Sequence, residues 1–206
     1  MTENIVKTGT TILGIVCKDG VVMAGDNRAS LGGQIVSNKD MQKVIPVNDY
    51  LLVAVCGHAT EAVKASKLLA AELKLKQLRS KKRPTVKEAA SLLSNIQVQQ
   101  SAFIVGGVDP NGKASVYEII GGLSKEVTDF TASIGSGLMY VLGYLERMWK
   151  PTVTVKEGIE LAKEALKASM ERDMATGNGM NIFTLTKAGI KEVVKDKAEL
   201  TFKKRE

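Results

Sequence analysis

Apolar periodicity alternates between strand-like and helix-like stretches along this chain, and that alternation constrains the fold more than any other feature. The strand-like stretches lie at about residues 11–17, 20–25, 42–47, 50–56, 101–108, 114–120, 127–134, 181–186 and 190–194, and the helical ones at about 59–79, 85–100, 138–149 and 154–173. Hairpins join neighbouring strands directly, so each helix pair is left to cover the outer face of a sheet. The order predicts an α+β fold, a four-layer αββα sandwich of two antiparallel sheets flanked by helix pairs.

Local signals support several of these boundaries. Asp19-Gly20 is typical of a hairpin turn, and Asp109-Pro110-Asn111-Gly112 is a strong turn signal between two apolar runs. Thr154 and Glu157 have the spacing of a capping box, which predicts a helix start there. No linker or repeat interrupts the pattern, so we expect a single domain.

The chain of 206 residues is long enough for one domain with a sizeable core. Its apolar runs are too short to span a bilayer, and residues 1–7 lack the apolar stretch of a secretory signal. Cys17 and Cys56 both lie in apolar strand-like runs, where an unpaired thiol is usually buried, and free thiols suggest a reducing compartment. We therefore expect a soluble, cytoplasmic protein.

A basic cluster from Lys74 to Arg83 contributes to the net charge of +7. Clustered cations are typical of nucleic-acid binding. However, this cluster contains no aromatic residue for base stacking, and it ends a helical pattern just before Pro84, where cations favour the helix terminus. We expect no nucleic-acid partner and no membrane association.

The composition excludes several catalytic solutions. His58 is the single histidine, so a zinc pair of the H-E-x-x-H kind is impossible, and no G-x-S-x-G elbow accompanies it to suggest a serine triad. No Walker or dinucleotide-binding fingerprint occurs, and Gly135-Ser136-Gly137 is too short to imply phosphate binding. We expect no metal and no cofactor.

One catalytic solution needs no histidine. A cut between Gly9 and Thr10 would give Thr10 both a hydroxyl and a free α-amine, whose ordinary pKa is about 7.7 to 8.0. The nucleophile would then carry its own base. A nearby lysine ammonium would favour the neutral amine, and such a lysine, if buried, needs a carboxylate partner.

Six motifs in order resemble one known family. They are Gly9-Thr10-Thr11, Ala24-Gly25-Asp26-Asn27-Arg28-Ala29-Ser30, Lys43-Val44, Val55-Cys56-Gly57, Ile134-Gly135-Ser136-Gly137 and Arg172-Asp173-Met174-Ala175-Thr176-Gly177. Together they closely resemble the β-subunits of proteasome core particles, most like archaeal ones, from Gly9 to about Val194. The resemblance implies the fold of N-terminal nucleophile hydrolases, in agreement with the sandwich predicted from element order.

The resemblance also implies a threonine endopeptidase that degrades unfolded proteins to peptides. By this resemblance, residues 1–9 are a pro-segment removed by self-cleavage, residues 10–194 form the single catalytic domain, and residues 195–206 are a charged tail. Thr10 is the nucleophile, and Gly57 supplies an oxyanion N–H. The supporting catalytic residues are Asp26, Lys43, Ser136, Asp173 and Thr176. Asp26 holds Lys43 by a buried ion pair, Lys43 tunes the amine, and Ser136 and Asp173 orient the amine and relay protons by hydrogen bonds.

Some positions depart from the family pattern. The segment between Asp26 and Lys43 is one residue longer than usual, which leaves Lys39 as a rival for the catalytic lysine; the apolar run after Lys43 favours Lys43. Thr176 stands where serine is more common, and both carry a hydroxyl.

The resemblance places six apolar residues around the substrate residue that precedes the cut bond. They are Ala29, Met41, Ile45, Val55, Ala59 and Val63. Burying a charged side chain among them without a partner is costly, so we expect cleavage after hydrophobic residues.

The resemblance implies partners as well: other β-subunits in seven-membered rings, rings of α-subunits, an ATP-dependent unfoldase and unfolded polypeptide substrates. Whether the β-ring contains one type of subunit or two stays open. The alternative function is a non-catalytic structural β-subunit. The related bacterial two-component peptidase is disfavoured by the motif from Arg172 to Gly177 and by the short leader. An amidase of this fold would usually expose cysteine or serine instead of Thr10.

Overall fold

The computed structural model describes residues 9–96, 98 and 100–198, which form twelve strands and four helices. The first half contains β1 (Ile12–Cys17), β2 (Gly20–Asp26), β3 (Ala29–Leu31), β4 (Ile35–Asn38), β5 (Val44–Asn48), β6 (Leu51–Gly57), α1 (Ala59–Ser80) and α2 (Val86–Asn95). The second half contains β7 (Ser101–Val108), β8 (Ala114–Ile120), β9 (Leu123–Val127), β10 (Phe130–Ala132), α3 (Leu138–Met148), α4 (Val155–Arg172), β11 (Gly179–Thr186) and β12 (Gly189–Lys197).

Two five-stranded antiparallel sheets form the centre of the molecule. The first has the order β10-β1-β2-β11-β12 and the second the order β5-β6-β7-β8-β9. Helices α3 and α4 pack on the outer face of the first sheet, and α1 and α2 on that of the second. The predicted αββα sandwich is confirmed.

Strand β6 shows how the layers arise from the sequence. Side chains alternate between the two faces of a strand. Leu51, Val53 and Val55 pack against α1 and α2, whereas Leu52 and Ala54 belong to the apolar layer between the sheets. Both faces of this strand are therefore buried, which explains its unbroken apolar run.

Two helices begin with the same capping arrangement. The Thr154 side chain accepts a hydrogen bond from the Glu157 N–H, and the Glu157 carboxylate accepts one from the Thr154 N–H at 2.8 Å, as the sequence predicts. Thr85 and Glu88 form the same pair at the start of α2. Each cap satisfies backbone donors that a helix start leaves without partners.

Several elements differ from the sequence prediction. Helix α2 ends at Asn95, although Ile96 and Val98 still pack on its core, so the apolar spacing continues past the helix. The single strand expected at residues 127–134 is two strands in different sheets, because the chain bends at residues 128–129. The short hairpin of β3 and β4 was not predicted.

The predicted C-terminal tail begins too early. Strand β12 continues through Lys197 and pairs with β11 along its length. Residues 195–197 are therefore part of the first sheet. Residues 1–8, which belong to the predicted pro-segment 1–9, and residues 199–206 lie outside the described residues.

Two residues of the basic cluster, Lys76 and Arg83, contact other parts of the same chain. The Lys76 ammonium lies 2.8 Å from a Glu88 carboxylate oxygen, and the Arg83 guanidinium lies 4.4 Å from the centre of the Tyr50 ring. Arg83 also donates a hydrogen bond to the Val108 carbonyl. These contacts give part of the cluster a role in joining α1 and α2 to the second sheet.

Within the described ranges, every helix falls short of the combined length and apolarity that crossing a lipid bilayer requires.

Candidate active site

Thr10 lies two residues before β1, and its side chain is buried. Its Oγ1 donates a hydrogen bond to the Gly9 carbonyl oxygen at 2.7 Å. The Gly9 N–H in turn donates to Ser30 Oγ at 2.9 Å. A methyl group on Gly9 would lie only 1.9 Å from Cβ of Ala175. The packing therefore accepts glycine alone before Thr10, and the threonine hydroxyl sits beside the predicted scissile carbonyl.

A buried ion pair lies next to this segment. Lys43 Nζ is 2.5 Å from Asp26 Oδ1, and both side chains are almost fully buried. The Thr11 N–H donates to the same Oδ1 at 2.9 Å, and the N–H groups of Arg28 and Gly177 donate to Oδ2 at 3.0 Å. Four donors thus compensate the buried carboxylate, as a buried charge requires.

The structure distinguishes the two candidate lysines. Lys39 is exposed between β4 and β5, whereas Lys43 immediately precedes β5 and lines the same cleft as Thr10. Burial lowers the pKa of the Lys43 ammonium, and the neighbouring Asp26 carboxylate acts in the opposite direction. Lys43 is the lysine that the geometry places at the site.

A second carboxylate lies at the end of α4. Asp173 Oδ2 accepts hydrogen bonds from Ser136 Oγ at 2.5 Å and from Thr176 Oγ1, and Oδ1 accepts one from the Ala175 N–H at 3.1 Å. The Thr10 N–H points to Ser136 Oγ at a longer 3.4 Å. The three predicted residues Ser136, Asp173 and Thr176 therefore form one hydrogen-bonded group beside the nitrogen of Thr10.

Two glycines of the motif from Ile134 to Gly137 provide space for this group. A methyl group on Gly135 would lie 2.0 Å from the Thr10 carbonyl oxygen, and one on Gly137 would lie 1.9 Å from Thr11 Oγ1. The motif thus lets two segments of the chain approach each other at the site.

Gly57 ends β6 with a φ of +99°, in the left-handed region that favours glycine. A methyl group there would lie 2.0 Å from the Gln100 carbonyl oxygen. Gly57 lines the cleft together with Thr10 and Lys43, which is where its predicted role requires it to be.

The cleft beside Thr10 has a volume of about 190 Å³. Three of the predicted specificity residues line it: Ala29, Met41 and Val55. Ile45 instead packs against the core under α1 and α2, and Val63 is half-buried on α1. Ala59 begins α1, and its side chain lies outside the described part of the structure. The remaining lining residues are Gly9, Thr10, Ser30, Leu31, Ser37, Lys43, Cys56, Gly57, His58, Thr60 and Ala62.

Cys56 and His58 lie in the cleft as well. The Cys56 thiol donates to the Ile134 carbonyl at 2.9 Å, and burial raises the pKa of Cys56 to about 11. The thiol therefore stays protonated at neutral pH and acts as a hydrogen-bond donor. His58 is the exposed residue at the N-terminus of α1.

Sequence reasoning missed Thr11, Ser30 and Ser169 as parts of the site. Thr11 Oγ1 lies 2.6 Å from Thr176 Oγ1 and 3.0 Å from Ser169 Oγ. Two signals were present. Thr11 and Ser30 lie within the family motifs, and Ser169 precedes Asp173, the C-cap of α4, by four residues, a spacing that puts both on one side of the helix.

Comparison with known proteins agrees with this fold. Residues 6–185 match the model of the proteasome subunit family. A proteasome subunit beta of Nanoarchaeum equitans is 39% identical over 191 residues, covering 89% of this chain and 96% of the relative. One from Archaeoglobus profundus is 38% identical, covering 96% and 94%, and a proteasome subunit beta 1 of Thermococcus kodakarensis is 37% identical, covering 93% and 95%.

Proposed function

The chain belongs to the proteasome subunit family, and from this premise we propose that it is a catalytic β-subunit, a threonine endopeptidase that degrades unfolded proteins to peptides. One observation carries the proposal. The Thr10 hydroxyl lies 2.7 Å from the Gly9 carbonyl oxygen, directly beside the buried Lys43–Asp26 pair.

The proposed first reaction is removal of residues 1–9. The Thr10 oxygen bonds to the Gly9 carbonyl carbon, the bond from that carbon to the Thr10 nitrogen breaks, and the hydroxyl proton ends on the nitrogen. The leader is then held as an ester. Water cleaves the ester, which restores the Thr10 hydroxyl, leaves a carboxyl group on Gly9 and exposes the α-amine of Thr10.

The proposed second reaction is peptide hydrolysis by the exposed Thr10. Its α-amine takes the hydroxyl proton while the oxygen attacks the substrate carbonyl carbon. The peptide C–N bond then breaks, its nitrogen takes that proton and leaves as the new amine, and water hydrolyses the remaining acyl ester to free Thr10. The Lys43 ammonium, held by Asp26, favours the neutral amine. The hydroxyl of Ser136, fixed by Asp173, orients the amine, and the N–H of Gly57 is the proposed oxyanion donor.

The mass of the chain in the purified, assembled particle tests this proposal. We expect the mature chain to begin at Thr10, without residues 1–9. A full-length chain in an assembled particle would contradict the proposal and support the alternative, a structural β-subunit without catalytic activity.

We also predict a preference for hydrophobic residues before the cut bond. Ala29, Met41 and Val55 give the cleft an apolar wall, where a charged substrate side chain would lose its hydration. A fluorogenic peptide with leucine at that position should be hydrolysed at least about tenfold faster than its glutamate or arginine counterpart. Faster cleavage after glutamate or arginine would contradict the assignment of these residues.

The proposed partners follow from the family. They are other β-subunits in seven-membered rings, α-subunit rings that admit unfolded polypeptide, and an ATP-dependent unfoldase, all in the cytoplasm. Four large apolar residues of α3 and the segment after α4 support an assembly surface, since their side chains are exposed: Met139, Tyr140, Met148 and Met174.

A further inference from the structure

Thr11 is joined to both carboxylates of the site. Its backbone N–H donates to Asp26 Oδ1 at 2.9 Å. Its side-chain oxygen lies 2.6 Å from Thr176 Oγ1, which donates to Asp173 Oδ2. Thr11 is also the covalent neighbour of Thr10. It therefore connects the proposed nucleophile to the Lys43–Asp26 pair on one side and to the Asp173 group on the other.

The direction of these hydrogen bonds follows from counting hydrogens. A carboxylate only accepts, so Thr176 spends its single hydroxyl hydrogen on Asp173. Thr11 must then donate to Thr176, which uses the only hydroxyl hydrogen of Thr11. Ser169, 3.0 Å from Thr11 Oγ1, must in turn donate to Thr11. The hydroxyls form a one-way chain from Ser169 through Thr11 and Thr176 to Asp173.

Ser169 is fully buried in α4, so its hydroxyl has no access to water. Its backbone carbonyl also accepts the Asp173 N–H at 2.8 Å, which ties the start of this chain to its end. Gly137 leaves the necessary room, because a methyl group there would lie 2.1 Å from Ser169 Oγ and 1.9 Å from Thr11 Oγ1. Three separate segments thus meet around the two hydroxyls.

We propose that Thr11 and Ser169 are positioning residues of the active site: the Ser169 hydroxyl fixes that of Thr11, and Thr11 holds Thr10 in place between Asp26 and Asp173. The inference rests on the proposed function of Thr10. Thr11 is held at its backbone nitrogen and at its side chain, so little freedom remains for Thr10 next to it. Small displacements of a reacting group lower the turnover rate steeply.

The test compares two substitutions at position 11. Thr11→Val keeps the shape of the side chain but puts a methyl group where the oxygen contacts Thr176 and Ser169, too close for a carbon atom. We expect kcat to fall about tenfold with KM within about twofold of wild type. Thr11→Ser keeps the hydroxyl and should restore kcat to near the wild-type value.

Ser169→Ala removes the first donor of the chain and should lower kcat about threefold. Because Ser169 acts through Thr11, adding Ser169→Ala to Thr11→Val should lower kcat no further. Two variants serve as matched controls with unchanged kcat. Ser66→Ala removes a buried helix serine that donates to the Ala62 carbonyl, and Thr184→Val changes a buried strand threonine remote from the site.

The measurements use assembled particles, with kcat divided by the fraction of chains whose mass begins at Thr10. Wild-type kcat in Thr11→Val, or effects of the two substitutions that multiply, would overturn the inference. If Thr11→Val does not assemble, Ser169→Ala alone decides, and an unchanged kcat overturns it. Thr10→Ala separates the two proposals: if it is inactive while Thr11→Val and Ser169→Ala turn over normally, only this inference fails.

Discussion

Replacing Thr10 with alanine is expected to lower peptide hydrolysis by about 10⁴-fold or more and to leave residues 1–9 attached to the chain. The substitution removes Oγ1 of Thr10, the side-chain oxygen that lies beside the Gly9 carbonyl. Both proposed reactions use that oxygen as the nucleophile. Hydrolysis of a fluorogenic peptide and the mass of the assembled chain measure the two effects on the same sample.

Two control variants distinguish the loss of the Thr10 hydroxyl from a general effect of substituting a buried threonine. Thr10→Ser retains a hydroxyl and should keep both leader removal and measurable hydrolysis. Thr131→Ala removes another buried threonine hydroxyl, from β10, and should behave as wild type in both assays. Undiminished hydrolysis by Thr10→Ala, or cleavage of the leader without this oxygen, would show that another group performs the chemistry.

Replacing Lys43 with methionine is the second change with a large expected effect. Methionine fills similar space but carries no charge, so the proposed amine of Thr10 loses its neighbouring ammonium. We expect kcat to fall by about 10²-fold or more. Lys39→Met is the matched control: Lys39 is exposed, and its substitution should leave kcat unchanged. The reverse result would assign the catalytic lysine to position 39.

Asp26→Asn should lower kcat by a similar factor to Lys43→Met but should unfold at a lower temperature. The amide would leave the Lys43 ammonium buried without a counter-charge, at a cost of about 3–5 kcal/mol, or about 6–20 °C in melting temperature. In Lys43→Met the Asp26 carboxylate keeps three backbone N–H donors, so the loss should be smaller. Equal melting temperatures for the two variants would contradict this account of the pair.

The pH dependence of the stability of Asp26→Asn tests the same account of the Lys43–Asp26 pair independently. Burial already lowers the pKa of Lys43 from its ordinary 10.5, and removing Asp26 takes away the main contribution that raises it. Between the lowered pKa and 10.5 the unfolded chain binds more protons than the folded chain, so stability increases with pH across that range. Melting temperatures measured across this range should therefore rise for Asp26→Asn.

The fold was largely predictable because its layers follow local patterns. The apolar run of β6 and the Thr154–Glu157 cap are each contained in a few consecutive residues, and both were interpreted correctly. The change of sheet between β9 and β10 was not, since the polar pair Thr128-Asp129 interrupts the apolar alternation without showing that the chain passes to another sheet there. Patterns within one segment do not specify which sheet the segment joins.

The site was predictable by resemblance in most of its residues and in one of its contacts, the buried Lys43–Asp26 ion pair. The hydroxyl contacts of Thr11 and Ser169 were not. Thr11 belongs to a family motif and Ser169 is an ordinary helix residue in the sequence, but only the orientation of their hydroxyls connects them to Asp173. Such orientations arise from tertiary packing, which periodicity does not describe.

The contact between Gly9 and Ala175 has a consequence for how these positions evolve. Gly9 belongs to the leader that the proposed maturation discards, so Ala175 constrains it only in the precursor. A smaller side chain at position 175 would not relieve this constraint, because a methyl group on residue 9 would also lie 2.8 Å from the Cα and from the carbonyl oxygen of Ala175. Selection on the precursor alone should thus keep glycine at position 9 among descendants of this gene, although the proposed mature chain no longer contains it.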